Sequence, residues 1–169
     1  YKSSKIIIVC SGAIALGSKS ISKSSLRKLE DKQAAASIGQ IELAYQWRTK
    51  LKKYKINVSQ ILLTLEDSET RRRYLNARNT ISSLQNRNII PIINENDTVA
   101  TEEIRYGDND KLAARVAQMI GADLLIFLSD VDGLYEDNPK KVSNAKKISE
   151  IFNIDKKIER LAKSQTSEL

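Results

Sequence analysis

Residues 89–110 read IIPIINENDTVATEEIRYGDND. Ile89, Ile90, Ile92 and Ile93 make an apolar run of β type, and then the character changes abruptly. Over the next seventeen residues the chain supplies Asn94, Glu95, Asn96, Asp97, Asp108, Asn109 and Asp110. A continuous apolar run is how a strand buried on both faces of a parallel sheet reads. In open α/β sheets, ligands bind beyond the carboxyl ends of such strands. Carboxamides and carboxylates gathered there suit a small molecule that carries both an ammonium and carboxylates. Asn, Asp and Gly are also ordinary turn residues. Two acid-amide clusters flanking a hairpin favour a binding site over a plain turn.

Outward from this run, strands alternate with helical patterns. Lys5–Val9 (KIIIV) reads as a short buried strand leading into Cys10, Ser11, Gly12 and Ala13. A strand that runs into Ser-Gly and a helix start of small residues is a candidate anion site. Glycine admits close backbone approach, and helix N-terminal amides favour negative charge. Residues 18–30 read as a surface loop. From Asp31, the expected N-cap, to Lys53 the pattern is helical, with Ala34, Ala35, Ile38, Ile41, Leu43, Ala44 and Trp47 at the apolar positions.

A strand is expected at Asn57–Leu63, a loop at Leu65–Ser68 and a helix at Glu69–Gln85. Arg71, Arg72 and Arg73 fall in the first turns of that helix, where the macrodipole disfavours cations. A phosphate grip or an acidic partner would use them, but a solvated or intersubunit face is the better reading. Beyond the hairpin, Asp108 or Asn109 caps a helix running to Ile120. The strand Leu124–Leu128 (LLIFL), a loop about Pro139 and a helix near Asp155–Lys163 complete the chain. Strands alternating with helices of about ten residues or more argue for βαβ units, an α/β domain with a mostly parallel sheet.

Composition narrows the chemistry. The chain has 169 residues, enough for one domain with a substantial core, and 41% of them are hydrophobic. No apolar stretch approaches the roughly 20 residues of a membrane span, and no signal-peptide pattern opens the sequence. With Cys10 as the one cysteine, no internal disulfide forms within these residues, which fits a reducing cytoplasm. The absence of histidine excludes a histidine general base and, with one cysteine, a zinc site. Cys10 likewise reads as a packed residue at a strand end, not as a nucleophile. The net charge is +7, but the lysines are dispersed and aromatics amount to 5%. Nucleic acid is therefore not an expected partner, since single-strand binders interleave charge with stacking platforms. The positive field suits anionic small molecules instead.

The phrases PIINENDTVAT (91–101), GDNDKLAA (107–114), LNARNT (75–80) and SGAIALG (11–17) closely resemble the amino acid kinase family. Within it they resemble the enzymes that phosphorylate the γ-carboxylate of glutamate. The matching stretch runs from Ile6 to Tyr135, and the tail after Asn144 matches poorly. SDVDGLY (129–135) is similar to aspartokinase and bacterial uridylate kinase as well, so it supports the family without choosing a substrate. The resemblance implies a three-layer αβα sandwich with a mostly parallel sheet. It also implies ATP and Mg²⁺ as cofactors and conversion of L-glutamate to L-glutamyl 5-phosphate, the first step of proline biosynthesis. A cytoplasmic homo-oligomer, with proline as a feedback ligand, follows from the same source.

Residue by residue, the resemblance implies that Ser11, Gly12, Asn94, Asp97 and Asn109 hold glutamate. It gives Asp110 the role of orienting catalytic lysines, and Ser129 and Asp130 a contact with nucleotide. A carboxylate acceptor is already ionised near neutral pH, so the lack of histidine is no obstacle. Positioning and charge neutralisation carry such a transfer. The family also has a Lys-x-Gly-Ser/Thr phosphate loop upstream and a Gly-Thr-Gly-Gly-Met loop with another lysine downstream. Neither stands within residues 1–169. The expectation is one domain over 1–169, incomplete at both ends and unable to transfer phosphate alone. A non-catalytic glutamate-binding sensor or assembly module, or a relative of aspartokinase or uridylate kinase type, is the alternative.

Overall fold

The computed structural model describes residues 4–21, 26, 28–100, 108–129, 132–137, 142 and 144–164. It divides into two compact units, Tyr1–Leu125 and Ile126–Leu169.

The first unit runs β1 (Ile8–Val9), α1 (Ala13–Gly17), a 3₁₀ turn (Ser18–Ser20), α2 (Leu29–Lys52), β2 (Asn57–Leu63), α3 (Leu65–Glu69), α4 (Arg71–Gln85), β3 (Ile89–Glu95) and α5 (Asp108–Ile120). Its sheet has the order β1-β3-β2, and both pairings are parallel. The central strand is the isoleucine run. Its register sets Ile8 against Ile92, Asn57 against Ile89 and Leu63 against Glu95. Pro91 is tolerated there because the β1 ladder begins only at Ile92, leaving Pro91 a strand partner on the β2 side alone.

Alternation along β3 builds two cores. Ile93, fully buried, packs with Leu63, Ala77, Ile81, Leu112, Val116 and Met119 from β2, α4 and α5. Asn94, the next residue, points the other way and bonds to Gln40 on α2. Helices therefore cover both faces, which is the αβα layering expected. On the α2 side the helix backbones nearly touch. A Cβ added to Gly39 would lie 1.8 Å from the Ala13 carbonyl oxygen, and one added to Gly17 would lie 1.8 Å from that of Ala35.

Several local expectations are corrected. Asp31 is not the N-cap of α2. The helix starts at Leu29 after an extended Lys28 that makes no side-chain cap, and Asp31 complements the dipole from within the first turn. Ile38 and Ile41, read as core-type positions, are 43% and 76% exposed. The Leu65–Ser68 loop is a helical turn. Thr64 accepts from the Asp67 backbone while Asp67 accepts from the Thr64 backbone, a reciprocal capping box. Arg73 pairs with Asp67 at 3.2 Å and Glu66 at 3.7 Å, and Arg71 to Arg73 are all exposed on this chain. The ladder of β1 covers only Ile8–Val9 of the expected Lys5–Val9.

The LLIFL segment is not a strand. Residues 124–128 carry no ladder and are exposed, Leu128 at 96%. Apolar β-type sequence supplies propensity, but a strand exists only when its amides find a neighbour, and none of the described strands pairs with this segment.

In the second unit, β4 (Leu134–Tyr135) and β5 (Lys147–Ile148) form an antiparallel pair where a plain loop was expected. Asp132 ties it at the surface, accepting from Tyr135 Oη at 2.7 Å and Lys147 Nζ at 2.8 Å. Helix α6 (Lys156–Ser164) follows, and Asp155 Oδ1 accepts from the Ile158 backbone at 2.8 Å as its N-terminal cap.

Candidate functional site

Because β1, β3 and β2 are parallel, their carboxyl ends open on one edge of the sheet, where ligand sites of such sheets form. The loop Cys10-Ser11-Gly12 leaves β1, Thr64 follows β2, and Asn96–Ala100 follows β3. Backbone bonds stitch these exits together. Cys10 N donates to Ile93 O at 2.9 Å, and Asn96 N donates to Leu63 O at 2.9 Å.

Ser11 and Gly12 are exposed at the start of α1. Gly12 has φ 104°, a left-handed conformation that side chains other than hydrogen resist, and no heavy atom lies where its Cβ would be. The demand for glycine here is conformational. Cys10 is half-buried, its Sγ donating to Ile93 O at 3.6 Å, and burial pushes the thiol up to about 11. It is protonated and inert at neutral pH, as a packed strand-end cysteine should be.

Asn94 and Asp97 are the buried polar residues at the exit of β3, at 2% and 9% exposure. Asn94 Nδ2 donates to Gln40 Oε1 at 2.8 Å. Its Oδ1 is shut off from water and has no hydrogen-bond partner among the described residues. An unmet buried acceptor costs about 1–3 kcal/mol, so this atom is a conspicuous place for a ligand donor. Beyond it the chain turns, with Thr98 Oγ1 donating to Asn96 Oδ1 at 2.6 Å and Val99 N to Asn96 O at 3.1 Å. Gln33 Nε2 then donates to Ala100 O at 3.2 Å.

The second acid-amide cluster arrives on α5. Asp108 and Asn109 lie inside its first turn, while the position before Asp108 is outside the described residues. Asn109, half-buried, accepts from the Glu95 backbone at 3.3 Å, which joins it to the end of β3. Asp110 is exposed one residue further on. Asn94, Asp97 and Asn109 are thus gathered at one strand end, and Ser11-Gly12 flank it through the Cys10–Ile93 bond. Ser129 belongs to the other unit, where it is exposed, and Asp130 lies outside the described residues. Sequence reasoning missed Gln33 and Gln40. Their signal is a pair of glutamines spaced two turns apart along a helix of alanines and glycine, QAAASIGQ (33–40).

A parallel sheet covered on both faces, with amides and a carboxylate buried at its carboxyl edge, defines an α/β protein of the open-sheet class. The model of the amino acid kinase family matches residues 1–168, and the chain belongs to that family. It is 61% identical over 166 residues to glutamate 5-kinase of Pelagibacter ubique, covering 97% of this chain and 45% of the relative. Glutamate 5-kinase of Agrobacterium fabrum is 57% identical over 163 residues, 96% of this chain and 42% of its own. That of Paramagnetospirillum magneticum is 53% identical over 158 residues, 94% and 43%. The chain spans less than half the length of each of these relatives.

Proposed function

We propose that the protein containing this chain is a glutamate 5-kinase, which phosphorylates the γ-carboxylate of L-glutamate with ATP to give L-glutamyl 5-phosphate, the first step of proline biosynthesis. The observation that carries this reading is the gathering of Asn94, Asp97 and Asn109 at the carboxyl end of β3. The names of the relatives support the same substrate. Asp97 and Asn94 Oδ1 supply acceptors for the ammonium, and Ser11, the Gly12 backbone and Asn109 address the carboxylates. The γ-carboxylate is ionised near neutral pH, so the site must orient it and need not deprotonate it.

ATP, when bound, supplies the phosphoryl group. Ser129 and Asp130 are the residues proposed to contact it, and Asp110, exposed at the start of α5, is proposed to orient the lysines that neutralise the transferring charge. Among the described residues no three His, Cys, Asp or Glu side chains gather as a metal cage. They do not by themselves make a Mg²⁺ site, and the ion would depend on nucleotide phosphates for its oxygens. No helix among the described residues is long and apolar enough to cross a membrane. A cytoplasmic location, feedback binding of proline and the absence of a nucleic-acid partner belong to the same proposal.

A homo-oligomer is part of it too. Ile38, Ile41 and Tyr45 form an exposed apolar stripe on α2. Glu30 and Lys52 each lie eleven residues from Ile41, so an antiparallel second copy would set every Glu30 against a Lys52.

The deciding experiment gives the full-length protein glutamate, ATP and Mg²⁺ and traps acyl phosphate with hydroxylamine. A glutamate-dependent hydroxamate signal that falls in Asp97→Ala is expected. Retained glutamate binding without any signal would instead identify a sensor of the same fold.

A further inference from the structure

Two glutamines on one face of α2 grip the end of β3 and the far end of the segment that follows it. Gln40 accepts from Asn94 Nδ2 at 2.8 Å, and Gln33 donates to the Ala100 carbonyl at 3.2 Å. They are seven residues apart, two helical turns, and so share a face. The helix that carries them has little freedom to slide. Gly39, the neighbour of Gln40, lies against the Ala13 backbone, with no room for a Cβ. Through that crossing the position of Gln40 is referred to α1, and hence to the Ser11-Gly12 loop that begins it.

An asparagine carboxamide is nearly symmetrical in shape but not in hydrogen bonding, since one end donates and the other accepts. Whichever end is engaged from behind, the opposite character is left for the ligand. Here Gln40 engages the donor. The acceptor, Asn94 Oδ1, is left buried and without a partner among the described residues. We infer that Gln40 is a positioning residue that fixes the Asn94 carboxamide with Oδ1 free to accept from the ligand's protonated amino group. It thereby sets the preference for an amino acid over the same dicarboxylate lacking that group. Gln33 keeps the far end of the segment, and with it the turn that carries Asp97, in register. This inference rests on the proposed function only for the nature of the ligand.

The test measures glutamate and glutarate binding to the full-length protein by calorimetry, comparing wild type with Gln40→Met, Gln40→Glu, Asn94→Ala and the Asn94→Ala/Gln40→Met double variant. Gln40→Met should weaken glutamate by about tenfold or more while changing glutarate little, because a hydrogen bond to a charged group is lost. Gln40→Glu still accepts from Nδ2, so its ratio of glutamate to glutarate affinity should stay near that of wild type. In the Asn94→Ala background, Gln40→Met should have no further effect on that ratio. Equal losses for both ligands, additive losses in the double variant, or a collapsed ratio in Gln40→Glu would overturn the inference. A wild-type protein that ignores glutamate would remove the functional reading instead. The positioning would then be judged by thermal unfolding of the same variants, where non-additivity between 40 and 94 supports it and additivity overturns it.

Discussion

Asn109 Oδ1 lies 3.3 Å from the backbone nitrogen of Glu95, so a helix start and a strand end fourteen residues apart close on each other. The bond leaves the Asn109 amide nitrogen for other partners and spares the Glu95 N–H from being unmet where the sheet ends. Asn109→Leu should therefore lower the stability of the folded protein by about 1–3 kcal/mol and, on the proposed reading, weaken glutamate by about tenfold. Asn109→Asp keeps the acceptor and should recover most of the stability. Denaturant unfolding and calorimetric titration of the two variants check this, and equal stability in both would remove the bond from the account.

The crossing of α1 and α2 makes a second prediction. A methyl at Gly39 would sit 1.8 Å from a backbone oxygen, a distance that only backbone movement can relieve. Overpacking of side chains costs about 1–3 kcal/mol, and a clash with main chain should reach or exceed the top of that range. Gly39→Ala is expected to lower the unfolding midpoint more than Ala34→Gly, an exposed change on the same helix that costs about 1 kcal/mol through propensity. The comparison separates crowding from helix propensity.

Much of this architecture was legible because it is written in strong local patterns. β2 falls at Asn57–Leu63, as the run NVSQILL suggests, and β3 follows the isoleucines into Asn94 and Glu95. The two acid-amide clusters read as one candidate site, and the parallel register together with the Glu95–Asn109 bond explains why they meet at one edge. What was not legible depends on partners distant in the chain. Gln40 looks like any helix surface residue until β3 brings Asn94 against it across 54 positions. LLIFL has the composition of a strand, yet strand identity is conferred by a neighbour's amides, and none of the described strands supplies them. Ile41 fits a helical apolar pattern, but the buried side of α2 is lined by Ala35, Ala36, Gly39 and Leu43, and Ile41 lies off that side. The Thr64–Asp67 box is written in TLED, but a Thr three residues before an Asp is equally at home in a turn, and only the reciprocal backbone bonds make it a helix start.

That capping box supplies a third prediction. Thr64 Oγ1 and the Asp67 carboxylate each satisfy a backbone amide at the start of α3, and Asp67 also holds Arg73. Thr64→Ala should cost about 1 kcal/mol, the usual worth of an N-cap. Thr64→Ser, which retains the hydroxyl, should cost less. Arg73→Ala, breaking exposed pairs, should change stability by no more than about 1 kcal/mol. Urea unfolding midpoints of the three variants rank these effects, and a Thr64→Ala change as small as that of Arg73→Ala would show the cap to be idle.

The last prediction concerns pH. Burial raises the Cys10 thiol from its ordinary 9.0 to about 11, with a hydrogen bond from Trp47 opposing the rise. The thiol is neutral when protonated, so the unfolded chain releases this proton near pH 9 while the folded protein retains it to about pH 11. Over that window the folded state binds more protons, and stability must fall as pH rises. The contribution is complete below about pH 9 and is lost through about pH 11. Holding the proton across that window corresponds to about 2.7 kcal/mol, which solvent access to the half-buried sulfur reduces to roughly 1–2 kcal/mol. Cys10→Ala lacks the titrating group, so the stability difference between wild type and variant should move against wild type by that amount across the window. Parallel stability curves for the two proteins would mean that the Cys10 sulfur is as well solvated in the folded state as in the unfolded one.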